Sequence, residues 1–106
     1  MKSITALFIF LMLGNAWALG DPGDPVNLSA RIWRLGSSVQ VEVWNTTEVD
    51  VVCSGSVTMY TRSGRTQTEY YWEVIYQGMS QSRYYRLWDY RDEVRTVFDT
   101  IQCRER

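Results

Sequence analysis

The chain has 106 residues, with 11 Lys plus Arg against 12 Asp plus Glu, no His and a net charge of −1. Without His it lacks the usual general base and the commonest metal ligand. A net-negative chain with no basic run speaks against nucleic acid as partner, and against a polybasic membrane patch, because both need clustered cations.

The first element is a leader. Lys2 precedes a run from Ile4 to Leu13 that is apolar apart from Thr5, and Ala16-Trp17-Ala18 supplies small residues at −3 and −1 of a cleavage site. That layout is a secretory signal peptide over residues 1–18. The run is too short for a bilayer span of about 20 residues. Cleavage leaves residues 19–106 as one small domain and removes Lys2, the only lysine, taking the net charge to −2. The expected product is secreted or periplasmic, with no stable membrane insertion. A chain this short buries only about 60–65% of its unfolded surface and needs reinforcement.

Residues 19–26 contain Gly-Asp-Pro twice and are expected as an extended N-terminal segment. The domain proper runs over 27–106. Leu28, Ala30 and Ile32 alternate with Ser29, Arg31 and Trp33, which is strand periodicity. Val39, Val41 and Val43 then alternate with Gln40, Glu42 and Trp44, so the valines take the core and Trp44 faces out. Asn45-Thr46-Thr47 turns the chain. This tripeptide and Asn27-Leu28-Ser29 match the N-glycan acceptor pattern, which matters only in a eukaryotic secretory route.

Val49, Val51, Cys53, Gly55, Val57 and Met59 share one face of a long strand. Gly55 in mid-strand implies a bulge or a close neighbour. Arg62-Ser63-Gly64-Arg65 is a hairpin turn, with Gly64 supplying a positive φ. Tyr70, Trp72, Val74 and Tyr76 follow at period two, and Gln77-Gly78-Met79-Ser80 turns again. Arg83 to Leu87 alternates as a strand, and Asp89 to Asp92 is a polar loop. In this last third Leu87, Tyr90, Val94, Val97 and Ile101 have helical spacing, but Thr96, Val97, Phe98, Thr100 and Ile101 are β-branched or aromatic and suit a strand.

Cys53 and Cys103 are the only cysteines. An even pair in an exported chain reads as a disulfide. A redox pair would show Cys-x-x-Cys spacing, and two thiols without His make a poor zinc site. Closing a loop of this length contributes roughly 4 kcal/mol. The fold expected is all-β: a small two-sheet, immunoglobulin-like sandwich of six to seven strands, with an inter-sheet bridge. Trp72 or Trp88 is the candidate ring to pack on that bridge.

The stretch VQVEVWNTTEVDVVCSGSVTMYTRSG, Val39 to Gly64, combines alternating valines, an Asn-x-Thr turn, Cys-x-Gly-x-Val and a Gly-tipped hairpin. With the Gly78 turn and the Cys103 strand, it resembles small exported bacterial β-sandwich proteins, distantly like the FxLYD domain. The resemblance implies a bridged sandwich in the cell envelope or outside the cell and carries no catalytic residues.

No constellation for catalysis is present. A Ser or Thr nucleophile has no base, and bridged thiols do not attack. Asp89, Asp92 and Glu93 are the candidates for a carboxylate pair or a calcium site, but their spacing matches no known calcium loop, and Asp21 and Asp24 are two acids in a solvated segment. A solvated network with Arg86, Arg91 and Arg95 is the simpler reading, so no enzyme, cofactor or metal is expected. Aromatic residues carry more information: eight rings crowd between Tyr70 and Tyr90. Placing Tyr70, Trp72 and Val74 inward sends Tyr71 outward. Placing Tyr85 and Leu87 inward sends Tyr84, Arg86 and Trp88 outward. Tyr, Trp and Arg dominate binding hot spots. The candidate ligand-binding set is therefore Trp88, Tyr84, Arg86, Tyr90, Arg91, Tyr71 and Trp44, for a protein or glycan partner. The alternative is a structural subunit that self-associates through an edge strand. A third option is a small inhibitor presenting the Arg62–Arg65 loop.

Overall fold

A computed structural model describes residues 23–106. The expected signal peptide and the first part of the extended segment lie outside the described residues. Valine alternation and Gly turns produce eight strands. These are β1 (Pro25–Val26), β2 (Ala30–Arg34), β3 (Ser38–Trp44), β4 (Val51–Thr61), β5 (Thr66–Ile75), β6 (Ser80–Arg86), β7 (Val94–Asp99) and β8 (Gln102–Glu105). They form two antiparallel sheets, one of order β1-β8-β4-β5 with β7 also on β4, the other β2-β3-β6. The all-β two-sheet fold is as the residue pattern implies, including a strand rather than a helix at Val94–Asp99. The extended segment ends as a strand, because Pro25 and Val26 pair with Arg104 and Cys103.

The core lies between the sheets. Val39, Val41 and Val43 face Val51, Cys53, Val57 and Met59, joined by Tyr71, Ile75, Tyr85 and Leu87. Turns at Gly36, Gly64 and Gly78 each use a positive φ, the region that only Gly adopts without a steric penalty.

β4 organises the larger sheet. One of its edges pairs with β5 along its length, and the other pairs first with β8 and then with β7. The β7 and β8 registers agree, Val57 opposite Asp99 and Ser54 opposite Gln102, so the two are one line of chain interrupted at Thr100–Ile101. There the Asp99 carboxylate accepts the Ile101 N–H at 3.0 Å and the Thr100 hydroxyl accepts the Ser56 N–H at 2.9 Å. The interruption sits on Gly55, where a Cβ would come within 2.6 Å of the Ile101 Cα. This is the close neighbour that a mid-strand Gly implies.

The expected inter-sheet bridge is corrected. Cys53 and Cys103 are disulfide-bonded but lie directly opposite each other on β4 and β8, neighbours in one sheet, with Cα atoms 4.0 Å apart. The reason is that the chain after Asp99 stays on the same edge of β4 instead of crossing to the facing layer. Neither Trp72 nor Trp88 packs on the bridge, since both are exposed.

Both long margins between the sheets are laced by hydrogen bonds. On one, Tyr71 donates to the Gln81 carbonyl at 3.0 Å, Tyr85 to the Tyr70 carbonyl at 2.9 Å, and Arg83 to the Trp72 carbonyl at 3.5 Å. The buried Gln67 amide donates to the Arg86 carbonyl at 3.0 Å and accepts the Trp88 N–H at 2.9 Å, as a backbone group would. On the other margin, Val94 N–H donates to the Gly36 carbonyl at 2.8 Å and Arg34 donates to the Arg95 carbonyl.

Candidate functional site

The facing of β5 follows from its hairpin. Gly64 turns the chain so that Thr61 N–H donates to the Arg65 carbonyl at 2.9 Å, and Tyr60 pairs with Thr66. Tyr60 points outward because Met59 and Thr61 point in, so Thr66, Thr68, Tyr70, Trp72 and Val74 also point outward. The inward set is Gln67, Tyr71 and Ile75, with Glu69 and Glu73 half-buried at the margin. Hence the outward placement of Tyr71 is corrected: it is 1% exposed, opposite Gly55, while Tyr70 and Trp72 are 75% and 59% exposed. Burial, reinforced by Glu73, pushes the Tyr71 phenol well above its ordinary pKa, and burial also raises that of Tyr85.

The outer face of the five-stranded sheet is a surface of rings and hydroxyls. Tyr60, Tyr70, Trp72, Tyr76 and Phe98 are all exposed there. Between them, cross-strand pairs join the Ser56 and Thr100 hydroxyls at 2.9 Å and the Thr58 and Thr68 hydroxyls at 3.1 Å. A trough of about 370 Å³ runs over Val52, between Trp72 and Val74 on one side and Arg104 and Arg106 on the other, with Gly23 and Glu105 at its rim. The Arg106 guanidinium lies 5.8 Å from the Tyr76 ring centroid, a cation–π distance. No outward position of β1, β4, β5, β7 or β8 holds an acid. Asp50, just beyond β4, accepts the Gln77 N–H at 3.1 Å.

The remaining candidates divide between two places. Tyr84 and Arg86 are exposed on the outer face of β6, and Gln40 lies between Tyr84 and Trp33 in the register. Trp88, 80% exposed, follows on the β6–β7 loop, where Arg91 lies 6.0 Å from the Tyr90 ring. Trp88 borders a cavity of about 500 Å³ shared with the β4–β5 hairpin, lined also by Thr61, Arg65, Leu87 and Asp92. Trp44 is exposed at the opposite end of the three-stranded sheet, paired with Ser80, and does not join this group.

The acids of the loop point to separate partners. Asp89 accepts the Arg91 N–H at 3.1 Å, Glu93 pairs with Arg62, and Asp92 accepts the Ser63 hydroxyl. That hydroxyl is the main cause of an Asp92 pKa lowered to about 2. Among the described residues, no three His, Cys, Asp or Glu side chains come together as a metal cluster. Asn45 is buried, and its amide donates to the Val49 and Ile75 carbonyls at 2.7 and 3.0 Å, so it serves the fold and is not accessible as a glycan acceptor.

The outward rings of β5, with Tyr60 and Phe98, were missing from the candidate set. The signal for them is the odd number of residues between Tyr60 and Thr66, which keeps both on one face. No protein-family model matches the chain, and no curated protein or solved structure matches it significantly.

Proposed function

We propose that the protein is a non-enzymatic binding module, exported to the periplasm or the cell exterior, that meets a protein or glycan partner through exposed rings. The observation that carries this reading is the run Tyr70, Trp72 and Tyr76 on the outer face of the larger sheet, beside Tyr60 and Phe98. These rings add little to a core already filled by Val, Met, Ile and Tyr71. Tyr and Trp give large contact area at low entropic cost, and contiguous exposed apolar surface of this kind marks interaction sites. The disulfide is compatible with export. The Trp88, Tyr84 and Arg86 cluster is a second exposed ring surface on the molecule and serves as the internal comparison.

The alternative, assembly through an edge strand, finds the β5 edge already partly used. Pairing needs a row of open backbone groups, and the Tyr70 and Trp72 carbonyls on the β5 edge already accept from Tyr85 and Arg83. The test is capture on a glycan array and by pull-down. Wild type is compared with Tyr70→Ala, Trp72→Ala and with Arg86→Ala, Trp88→Ala. Loss of capture in the first pair alone supports the reading; equal capture by wild type and the first pair removes it.

A further inference from the structure

Resting on the binding-module reading, we infer that the outer face of the five-stranded sheet takes an acidic glycan. Its sugar rings would lie along Tyr70, Trp72 and Tyr76, and its carboxylate or sulfate groups would meet Arg104 and Arg106. Three observations converge on this chemistry. The first is shape. Outward side chains at alternate β5 positions stand in line, and Tyr70 to Tyr76 spans about 20 Å at strand rise. A sheet face bearing a row of rings suits a ribbon-like oligosaccharide, whose C–H faces stack on aromatic faces.

The second is the polar content between the rings. Ser54, Ser56, Thr58, Thr68 and Thr100 lie on this face, and two hydroxyl pairs bridge neighbouring strands. Each hydroxyl has a donor and two acceptor sites, so the pairs keep capacity for a sugar hydroxyl. The face is poor in large aliphatic side chains, with Val52 and Val74 alone on β4 and β5.

The third is charge. The chain carries more acids than bases, yet the charged outward residues of these strands are cationic. Arg104 lies in register with Val52, which pairs with Val74 beside Trp72, and it walls the trough with Arg106. Among the described residues, neither Arg104 nor Arg106 has a carboxylate within ion-pair distance. An arginine outside any ion pair and beside stacking rings offers a planar fork for carboxylate or sulfate, even with Glu105 at the trough's rim. Two such cations are too few to follow a polynucleotide, which presents a phosphate at every step.

The experiment is calorimetric titration of the protein with oligogalacturonate, dextran sulfate, a neutral cello-oligosaccharide, poly-L-glutamate and oligo(dT). Binding of oligogalacturonate or dextran sulfate, with the cello-oligosaccharide weaker by about tenfold or more, is expected; which of the two binds identifies the anionic group. Trp72→Ala is expected to weaken that binding by about thirtyfold, the size of a hot-spot loss. Arg104→Gln should weaken it several-fold and flatten its dependence on salt, while Trp88→Ala leaves it unchanged. Equal affinity for the neutral oligosaccharide overturns the anionic assignment. Tighter binding of poly-L-glutamate or oligo(dT) gives the face to an acidic protein or a nucleic acid and likewise overturns it. If no acidic glycan binds but the Tyr70→Ala, Trp72→Ala pair still loses capture on the array or in the pull-down, this inference falls and the binding-module reading stands. If the pair also captures as wild type does, both fall.

Discussion

Strand β5 has two faces with opposite work. Its inner face carries Gln67, Tyr71 and Ile75, which fill the core and lace the margin to β6. Its outer face carries Tyr70, Trp72 and Val74, in a surface that no other described strand covers. Tyr70 and Tyr71 are chemically identical neighbours, yet one is three-quarters exposed and the other buried. The difference teaches that position in the register, not hydrophobicity, assigns a ring to stability or to contact.

The largest effect expected separates these faces by substitution. Tyr71→Ala removes a fully buried aromatic side chain, and truncations of that kind cost about 3–5 kcal/mol. Trp72→Ala removes a larger ring from the outer face and should change stability within about 0.5 kcal/mol. Chemical denaturation of both variants measures the contrast. Similar losses for the two would break the distinction and place Trp72 among the structural residues.

A second test addresses the position opposite Tyr71. Gly55 leaves room for the line of chain at Thr100–Ile101, and a Cβ there would press on backbone, which cannot swing aside. Gly55→Ala should therefore destabilise by about 1–3 kcal/mol, the usual cost of overpacking. Gly64→Ala meets no neighbour but sits at a φ of +89°. Its cost is conformational and should come with a loosened hairpin, seen as faster amide exchange near Thr61 and Arg65. A neutral Gly55→Ala would show that β7 and β8 can part from β4 there.

Much of this architecture is legible in local sequence. Gly36, Gly64 and Gly78 mark turns because positive φ is a property of one residue. The valines of β3 alternate against polar neighbours and so declare their face. β5 does not, because Tyr70, Tyr71 and Trp72 put rings on both faces and the period-two pattern loses its contrast. Its facing is set by the hairpin, which passes parity from Met59 and Tyr60 to Gln67 and Tyr70. The place of Cys103 is equally non-local. Pairing two cysteines follows from number and compartment, but putting them in one sheet depends on the chain holding its line past Asp99. For the candidate site, Trp88, Tyr84 and Arg86 are exposed as β6 alternation implies. The β5 rings were assigned to the wrong layer by the same ambiguity that misplaced Tyr71.

A third test sharpens the inner face. The Tyr71 and Tyr85 hydroxyls each donate to a backbone carbonyl across the margin. Tyr71→Phe or Tyr85→Phe should cost about 1 kcal/mol, the net value of one such bond. Both phenols have pKa values raised in the fold, mainly by burial. A raised value means that the folded state favours the neutral phenol, so this contribution is whole below the unfolded phenol pKa of about 10 and falls as pH rises beyond it. Thermal unfolding of wild type should decline above that pH more steeply than that of the double Phe variant. Parallel alkaline profiles would mean that the two hydroxyls do not hold the margin.

The smallest effect concerns the hairpin tip that fixes which face of β5 is which. Ser63 donates through its hydroxyl to the Asp92 carboxylate, and Ser63 N–H points to the same group at 3.3 Å, tying the tip to the β6–β7 loop. The Asp92 pKa falls from 3.8 to about 2, first because of the Ser63 hydroxyl and then through the Glu93 N–H and the Thr61 hydroxyl. A depressed carboxyl pKa contributes stability above the unfolded value and loses it as pH falls through the folded one. The difference in unfolding temperature between wild type and Asp92→Asn should thus be constant above about pH 5 and shrink progressively between about pH 5 and pH 1. Titration of the Asp92 side chain by NMR should give a midpoint near 2, moving upward in Ser63→Ala. A wild-type midpoint at the ordinary carboxylate value would mean that the tip is not held by this bond. The parity of β5 would then rest on the Gly64 turn and the β4 pairing alone.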